Sequence, residues 1–210
     1  LKPVFFGADV VIHLAAITDA AGSVDKAEEL EANNFQSTLR VAEACIEADV
    51  SLIALSSTSV YGTQNDKVDE NCSESELQPQ SPYATTKLKE EELISNLSKE
   101  KGLKAIHCRF GTIFGASQGM RFHTAVNKFC WQAVMNQPIS VWTTAYDQKR
   151  PYLDLLDASR AIAFIIKNNI FDGQIYNVLT SNATVRQVVD TIKEFVPNLE
   201  IEFVDNRIMN

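Results

Sequence analysis

Three short, nearly unbroken apolar runs, at residues 9–16, 50–57 and 104–110, are separated by stretches with helical spacing. Apolar runs of this length, rich in Val, Ile and Leu and without polar alternation, are what strands covered on both faces look like. Strands that alternate with helices join through right-handed crossovers into a parallel sheet. This order predicts an α/β fold with a doubly wound parallel sheet. The first helix is expected over residues 34–48, where Thr38, Val41, Ala42 and Cys45 share a stripe and Arg40, Glu43 and Glu47 lie elsewhere. Asn33 and Asn34 stand at its start and read first as helix caps. His13 sits inside the first run with no carboxylate or second histidine beside it, and reads as a satisfied core histidine, with no metal ligand set around it.

The second run ends in Ser56, Ser57 and Thr58, at the carboxyl end of a strand, where open α/β sheets bind ligands. The first run ends in Leu14, Ala15 and Ala16, whose small alanines either allow a flat ligand to approach the main chain or simply permit close packing. After a polar loop at 63–80 comes Ser81-Pro-Tyr-Ala-Thr-Thr-Lys87, in which the proline suits the first turn of a helix reaching to about Ser98. Glu90, Glu91 and Glu92 are expected to form its solvated face. Tyr83 and Lys87 are four residues apart, about one turn, so phenol and ammonium share a face. A phenol has an ordinary pKa of about 10, and a fixed cation nearby favours the phenolate, which would make Tyr83 an acid or a base. Taken alone, the Tyr-x-x-x-Lys spacing arises by chance in many helices.

In the second half, Gly111, Gly115 and Gly119 are spaced by four and open no helix, so a turn-rich linker is expected there rather than a dinucleotide fingerprint. Helical patterns follow at 122–135, 157–166 and 184–195, with strands at 174–179 and 200–204. Arg150 follows Gln148 and Lys149; it could clamp a phosphate through its planar fork or be an ordinary surface arginine.

The 210 residues are 45% hydrophobic, enough for a buried core in one or two domains. A net charge of −8 argues against a nucleic-acid or anionic-membrane partner and for a small molecule. The four cysteines form no C-x-x-C pair, which fits a reducing cytoplasm, and no segment approaches the roughly 20 apolar residues of a membrane span.

Taken together, residues 11–16, Asn34 before Ser37 and Thr38, the Ser56-Ser-Thr-Ser-Val-Tyr-Gly62 stretch, the Tyr83/Lys87 segment, and Arg150 to Asp154 with Asp157 resemble, in order and spacing, extended short-chain dehydrogenase/reductases. Among these the chain is similar to the NAD-dependent epimerase/dehydratase family acting on nucleotide sugars. The resemblance implies that Tyr83 is the acid/base, that Lys87 lowers its pKa and bonds the nicotinamide ribose, and that Ser57 holds the sugar hydroxyl. It also implies that Leu14, Ala15, Ala16, Asn34 and Ser56 help seat NAD, with NADP an alternative. Thr58, Thr112, Arg150 and Arg207 are then expected on the substrate side.

Three departures accompany it. The first strand and glycine-rich turn of the family, which would precede residue 9, are expected to be missing, so the Rossmann-like domain reads as N-terminally truncated. Thr58 and Ser59 stand where sugar dehydratases of the family carry Asp-Glu, which favours an epimerase or dehydrogenase. Thr112 stands where many relatives carry an asparagine after Arg109. The expected organisation is a dinucleotide-binding domain at 1–115 and 151–172 and a smaller α/β substrate domain at 116–150 and 173–210, with a homodimer as the candidate assembly. The rival readings are a reductase of a non-sugar carbonyl compound and a catalytically silent dinucleotide-binding relative.

Overall fold

The three apolar runs are strands of one parallel sheet. In a computed structural model that describes residues 2–18, 27–63 and 67–205, they form β1 (Val10–His13), β2 (Ser51–Ser57) and β3 (Ala105–Phe110). A fourth strand, numbered β7 (Ile175–Val178) by its place in the chain, completes the order β1-β2-β3-β7. All pairings are parallel, with Val10 opposite Ser51, Leu52 opposite Ala105 and His107 opposite Ile175. All six residues of β3 are buried, as expected of a strand inside such a sheet.

Two long helices pack on this sheet and on each other: α2 (Ala27–Ala48) and α3 (Pro82–Lys101); a short α1 (Lys2–Phe5) precedes them in the chain. Ala42 and Cys45 of α2, Ile94 and Leu97 of α3, and Leu52, Ala54 and Ala105 of the sheet make one buried cluster, against which Phe5 of α1 also packs. The ends of α3 follow from its sequence. Ser81 caps it by accepting a hydrogen bond from the Ala84 amide, Pro82 occupies its first turn, and Gly102 closes it at φ +70, a left-handed conformation that glycine adopts without steric cost.

Helix α2 starts seven residues earlier than the spacing predicts, so Asn34 is no cap but an interior residue. Its buried stripe runs Leu30, Asn34, Thr38, Ala42, Cys45. The spacing already places Thr38 on that stripe, but Asn34 is polar, and a pattern read from hydrophobicity loses the stripe before it.

The contacts divide the chain into two units, Leu1–Phe110 with Arg160–Val178 and Gly111–Ser159 with Leu179–Asn210. Residues 175–178, assigned by the sequence pattern to the smaller domain, therefore supply β7 of the first unit's sheet. The second unit has a three-stranded sheet of β4 (Thr112–Phe114), β6 (Lys149–Asp154) and β8 (Ser181–Thr184), in which β6 is parallel to β4 and antiparallel to β8. A parallel pair, β5 (Ile139–Trp142) and β9 (Ile201–Val204), stands apart from it. Helices α4 (Ala125–Val134) and α6 (Val185–Phe195) enclose a core of Phe129, Ala133, Ile139, Val141, Val189 and Ile192. The unit boundary falls within α5 (Leu155–Lys167).

The glycine-spaced segment after β3 is thus not a linker throughout. A Cβ on Gly111 would lie 3.0 Å from the Pro151 carbonyl oxygen, and Gly115 has φ +129. These glycines let β4 lie close to β6.

Candidate active site

The carboxyl end of β2 turns directly into a 3-10 turn, Thr58–Tyr61, which Ser57 caps from an extended backbone (φ −145, ψ 141). The Ser57 Oγ accepts from the Ser59 amide at 3.2 Å and from the Ser59 hydroxyl at 2.9 Å, so its own proton remains to be donated. The neighbouring hydroxyls differ. Thr58 Oγ1 donates to the Phe110 carbonyl at 3.2 Å, tying the turn to β3, which makes its hydroxyl a structural bond. The Ser56 Oγ is buried without a hydrogen-bond partner among the described residues. Gly62 follows at φ +65, where a Cβ would overlap the Gln78 carbonyl, so only glycine fits between the turn and the loop that leads to α3.

Helix α3 packs against β2 and this turn and carries Tyr83 and Lys87 on one face. The Lys87 Nζ lies 5.7 Å from the Tyr83 ring centroid. It also donates to Glu90 Oε2 at 2.8 Å, within an ion pair whose side chains are each 6% exposed. The phenol is not lowered here, contrary to the sequence expectation. Burial pushes Tyr83 up to about 12, and the Glu90 carboxylate adds to the rise. The physical reason is that Lys87 comes with its own counter-ion, so the cation beside the phenol is largely compensated.

Nor do Glu90 and Glu91 form a solvated face with Glu92: both are buried, and only Glu92 is exposed. Glu91 takes a bidentate pair from Arg109 of β3, Nε to Oε1 at 2.9 Å and Nη2 to Oε2 at 2.7 Å. Arg109 Nη1 donates to the Tyr61 hydroxyl at 2.8 Å, and that hydroxyl donates to Asn177 Oδ1 at 2.9 Å. Asn177 of β7 in turn donates through Nδ2 to Glu70 Oε2 at 2.9 Å. This string joins α3, β3, the 3-10 turn, β7 and the loop at residue 70. It fixes the elements that carry Ser57 and Tyr83. The buried stripe of α3, Ala84, Lys87, Glu90/Glu91, Ile94, Leu97, was the available signal for these carboxylates, because the helical period runs straight through them.

At the end of β1, Leu14 is 59% exposed, and the main chain beyond it is held by Asn34: its Oδ1 accepts from the Ile17 amide at 2.8 Å and its Nδ2 donates to the Ile17 carbonyl at 3.0 Å. Ala15 is exposed and Ala16 half-buried. His13, as expected, is satisfied within the core, with Nε2 3.0 Å from Thr38 Oγ1.

In the second unit, Thr112 pairs with Tyr152 across β4 and β6, and Arg150 lies in β6 with Nη2 donating to Gln148 Oε1 at 2.6 Å. Asp154 and Asp157 meet on one hydroxyl: Thr180 Oγ1 accepts from the Asp154 amide at 2.8 Å and donates to Asp157 Oδ2 at 2.7 Å. Arg207 lies outside the described residues.

Comparison with known proteins agrees with this topology. A mutant UDP-glucuronic acid 4-epimerase from Bacillus cereus, solved with UDP-4-deoxy-4-fluoro-glucuronic acid and NAD, superposes with a TM-score of 0.88 at 23% identity, covering 98% of this chain and 65% of its own. The dTDP-glucose 4,6-dehydratase DesIV from Streptomyces venezuelae, with NAD and TYD bound, gives 0.86 at 19%, covering 100% and 65%. At these identities the likeness is one of fold. In sequence, the uncharacterized UDP-glucose epimerase YtcB of Bacillus subtilis is 31% identical over 193 residues, 90% of this chain and 58% of that protein. A UDP-glucose 4-epimerase of Azospirillum brasilense is 26% identical over 89% of this chain and 58% of its own. The chain thus spans under two thirds of the length of these curated relatives. Residues 3–178 match the sequence model of the NAD dependent epimerase/dehydratase family, and the chain, with its parallel sheet and its Tyr83/Lys87 helix, belongs to that family.

Proposed function

We propose that this chain carries the acid/base machinery of an NAD-dependent epimerase or dehydrogenase acting on a nucleotide sugar. The observation that carries the reading is Tyr83 and Lys87 on one face of α3, with that helix packed on the strand end that presents Ser57. Ser57, already accepting two hydrogen bonds, keeps a donor for a sugar hydroxyl or carbonyl oxygen and fixes its orientation. Tyr83 then exchanges the proton of that oxygen, and with burial holding its phenol up at about 12 it stands ready as the proton donor. Thr58 and Ser59, in place of an acidic pair, offer no carboxylate for elimination, which favours epimerisation or oxidation over dehydration.

The residues present fit NAD. The Ser56 hydroxyl, buried without a partner among the described residues, and the open main chain at Leu14 and Ala15 are groups that a dinucleotide would engage. Tyr83 and Lys87 would hold its ribose, and Asn34 would keep the segment at Leu14 to Ala16 in place through Ile17. When bound, the nicotinamide supplies reversible hydride acceptance. Arg150 would bind the substrate diphosphate, and Thr112 would add a hydroxyl to the substrate contacts.

The test is Tyr83→Phe, assayed for interconversion or oxidation of UDP-glucose, UDP-glucuronic acid and dTDP-glucose. Turnover should fall by at least about a hundredfold with little change in affinity for the nucleotide sugar. Near-normal turnover in Tyr83→Phe would overturn the assignment.

A further inference from the structure

The acid/base reading uses Tyr83, Lys87 and Ser57 and leaves Glu90 without a task. Yet Glu90 is a buried carboxylate bonded directly to Lys87. It is 4% exposed; one oxygen, Oε2, is 2.8 Å from Lys87 Nζ, and the other, Oε1, is buried with no hydrogen-bond partner among the described residues. A buried carboxylate with half of its acceptors idle is costly, and an apolar residue at the same place on the helix would avoid that cost. What the carboxylate does for that cost is hold a flexible lysine. Lys87 has four rotatable bonds, and its ammonium is kept within 5.7 Å of the Tyr83 ring while bonded to Glu90.

The surrounding groups do not compete for this role. On β1, His13 faces Lys87 and is kept below its ordinary value, by burial first and by Lys87 second. On α2, Cys45 is pushed up to about 11 by burial, and Glu31 is engaged by Lys89 at the surface. On the 3-10 turn, Tyr61 is raised by burial and bonded to Arg109. On β3, His107 is lowered to about 4 and Arg109 is matched by Glu91. The buried charges on this part of α3 are therefore two compensated pairs, and Glu90 is the carboxylate that raises Tyr83.

We propose that Glu90 is a positioning residue: it anchors the Lys87 ammonium beside Tyr83 and, through its own negative charge, shifts the pH at which Tyr83 exchanges its proton. The catalytic meaning of this rests on the function proposed above, but the titration itself does not.

Glu90→Gln tests it, since the amide keeps the size and an oxygen for Lys87 while removing the charge. The readout is the tyrosinate ultraviolet difference titration of the full chain, with Tyr83 isolated by subtracting the Tyr83→Phe counterpart of each background. The Tyr83 midpoint should fall in Glu90→Gln by up to about one pH unit, the smaller share of its rise, because burial is the larger cause. Glu92→Gln, which removes the same charge at an exposed site of the same helix, should leave it unmoved. An unchanged midpoint in Glu90→Gln overturns the proposal. If circular dichroism shows that Glu90→Gln does not fold, Glu90→Asp decides, because drawing the carboxylate back by one methylene should still lower the midpoint. In turnover of UDP-glucose, the pH profile of kcat should move by the same amount with KM unchanged. Absence of turnover with any nucleotide sugar would remove the proposed reaction while the titration still decides the role of Glu90.

Discussion

Two buried ion pairs leave consecutive residues of α3, and they are built differently. Glu91 meets Arg109 through two parallel hydrogen bonds, and the guanidinium has a third partner in Tyr61. Glu90 meets Lys87 through one oxygen, and the other has no hydrogen-bond partner among the described residues. The first pair joins α3 to the strand that follows it, across 18 residues; the second stays within one helical turn beside Tyr83. A planar fork locked on both sides suits a joint that must not move. A point charge on a flexible stem, held by one bond, suits a group that must also serve another partner. The contrast separates a buried pair that holds the fold from one that sets chemistry.

The strongest test of this contrast compares the stabilities of Glu91→Gln and Glu90→Gln. Removing the charge of Glu91 leaves an arginine buried and unable to shed its proton, so the loss should be about 3–5 kcal/mol, the usual cost of breaking a buried pair. Glu90→Gln should cost clearly less, about 1 kcal/mol, because a lysine side chain can adapt and keeps an oxygen to bond. Urea unfolding of both variants measures this. Equal losses would mean that both pairs are structural.

Each pair also has a buried histidine beside it, which sharpens the comparison through pH. His107 lies on β3 two residues before Arg109; burial holds it down to about 4, with Glu91 opposing and Arg109 adding to the depression. Its folded value is below the unfolded value of about 6.5, so the fold favours the neutral ring. That contribution is fully present above pH 6.5 and is lost as pH falls through 4. A depression of this size corresponds to about 3 kcal/mol. The stability of the chain should therefore fall more steeply between pH 6.5 and 4 than that of His107→Leu, by on the order of that amount. Parallel curves for the two proteins would show that burial does not hold His107 below its ordinary value.

What the sequence revealed and what it hid follow the same line. The strands of the parallel sheet, the Ser81-Pro82 start of α3 and the core place of His13 were legible because apolar runs, a capping serine and a lone histidine each have one cheap solution. The first turns of α2 were hidden because Asn34, which reads as a cap, puts a polar group on its buried stripe, where it grips Ile17. Glu90 and Glu91 were hidden because a run of three glutamates normally faces water, and only their partners, Lys87 and Arg109, make burial possible. Strand β8 carries Ser181 and Asn182 and has no strand-like pattern; its pairing with β6 creates it. The polar positions that periodicity misread are the ones that tie the site's elements together, since a buried polar group survives only where a specific partner meets it.

A third ion pair on the same helix gives the smallest expected effect and calibrates the other two. Lys89 lies one residue before Glu90, and its Nζ is 2.6 Å from Glu31 Oε1 of α2, closer than either buried pair. Distance alone would rank it first. Both side chains are 46% exposed, however, so water and salt screen the attraction, and two long side chains lose rotamer freedom to make it. Lys89→Gln should therefore change stability by no more than about 0.5 kcal/mol, and still less at high salt. Urea unfolding at low and high ionic strength checks this. A loss comparable to that of Glu91→Gln would mean that the α2–α3 contact, rather than burial of charge, governs the stability of this helix, and the distinction between the two buried pairs would need another basis.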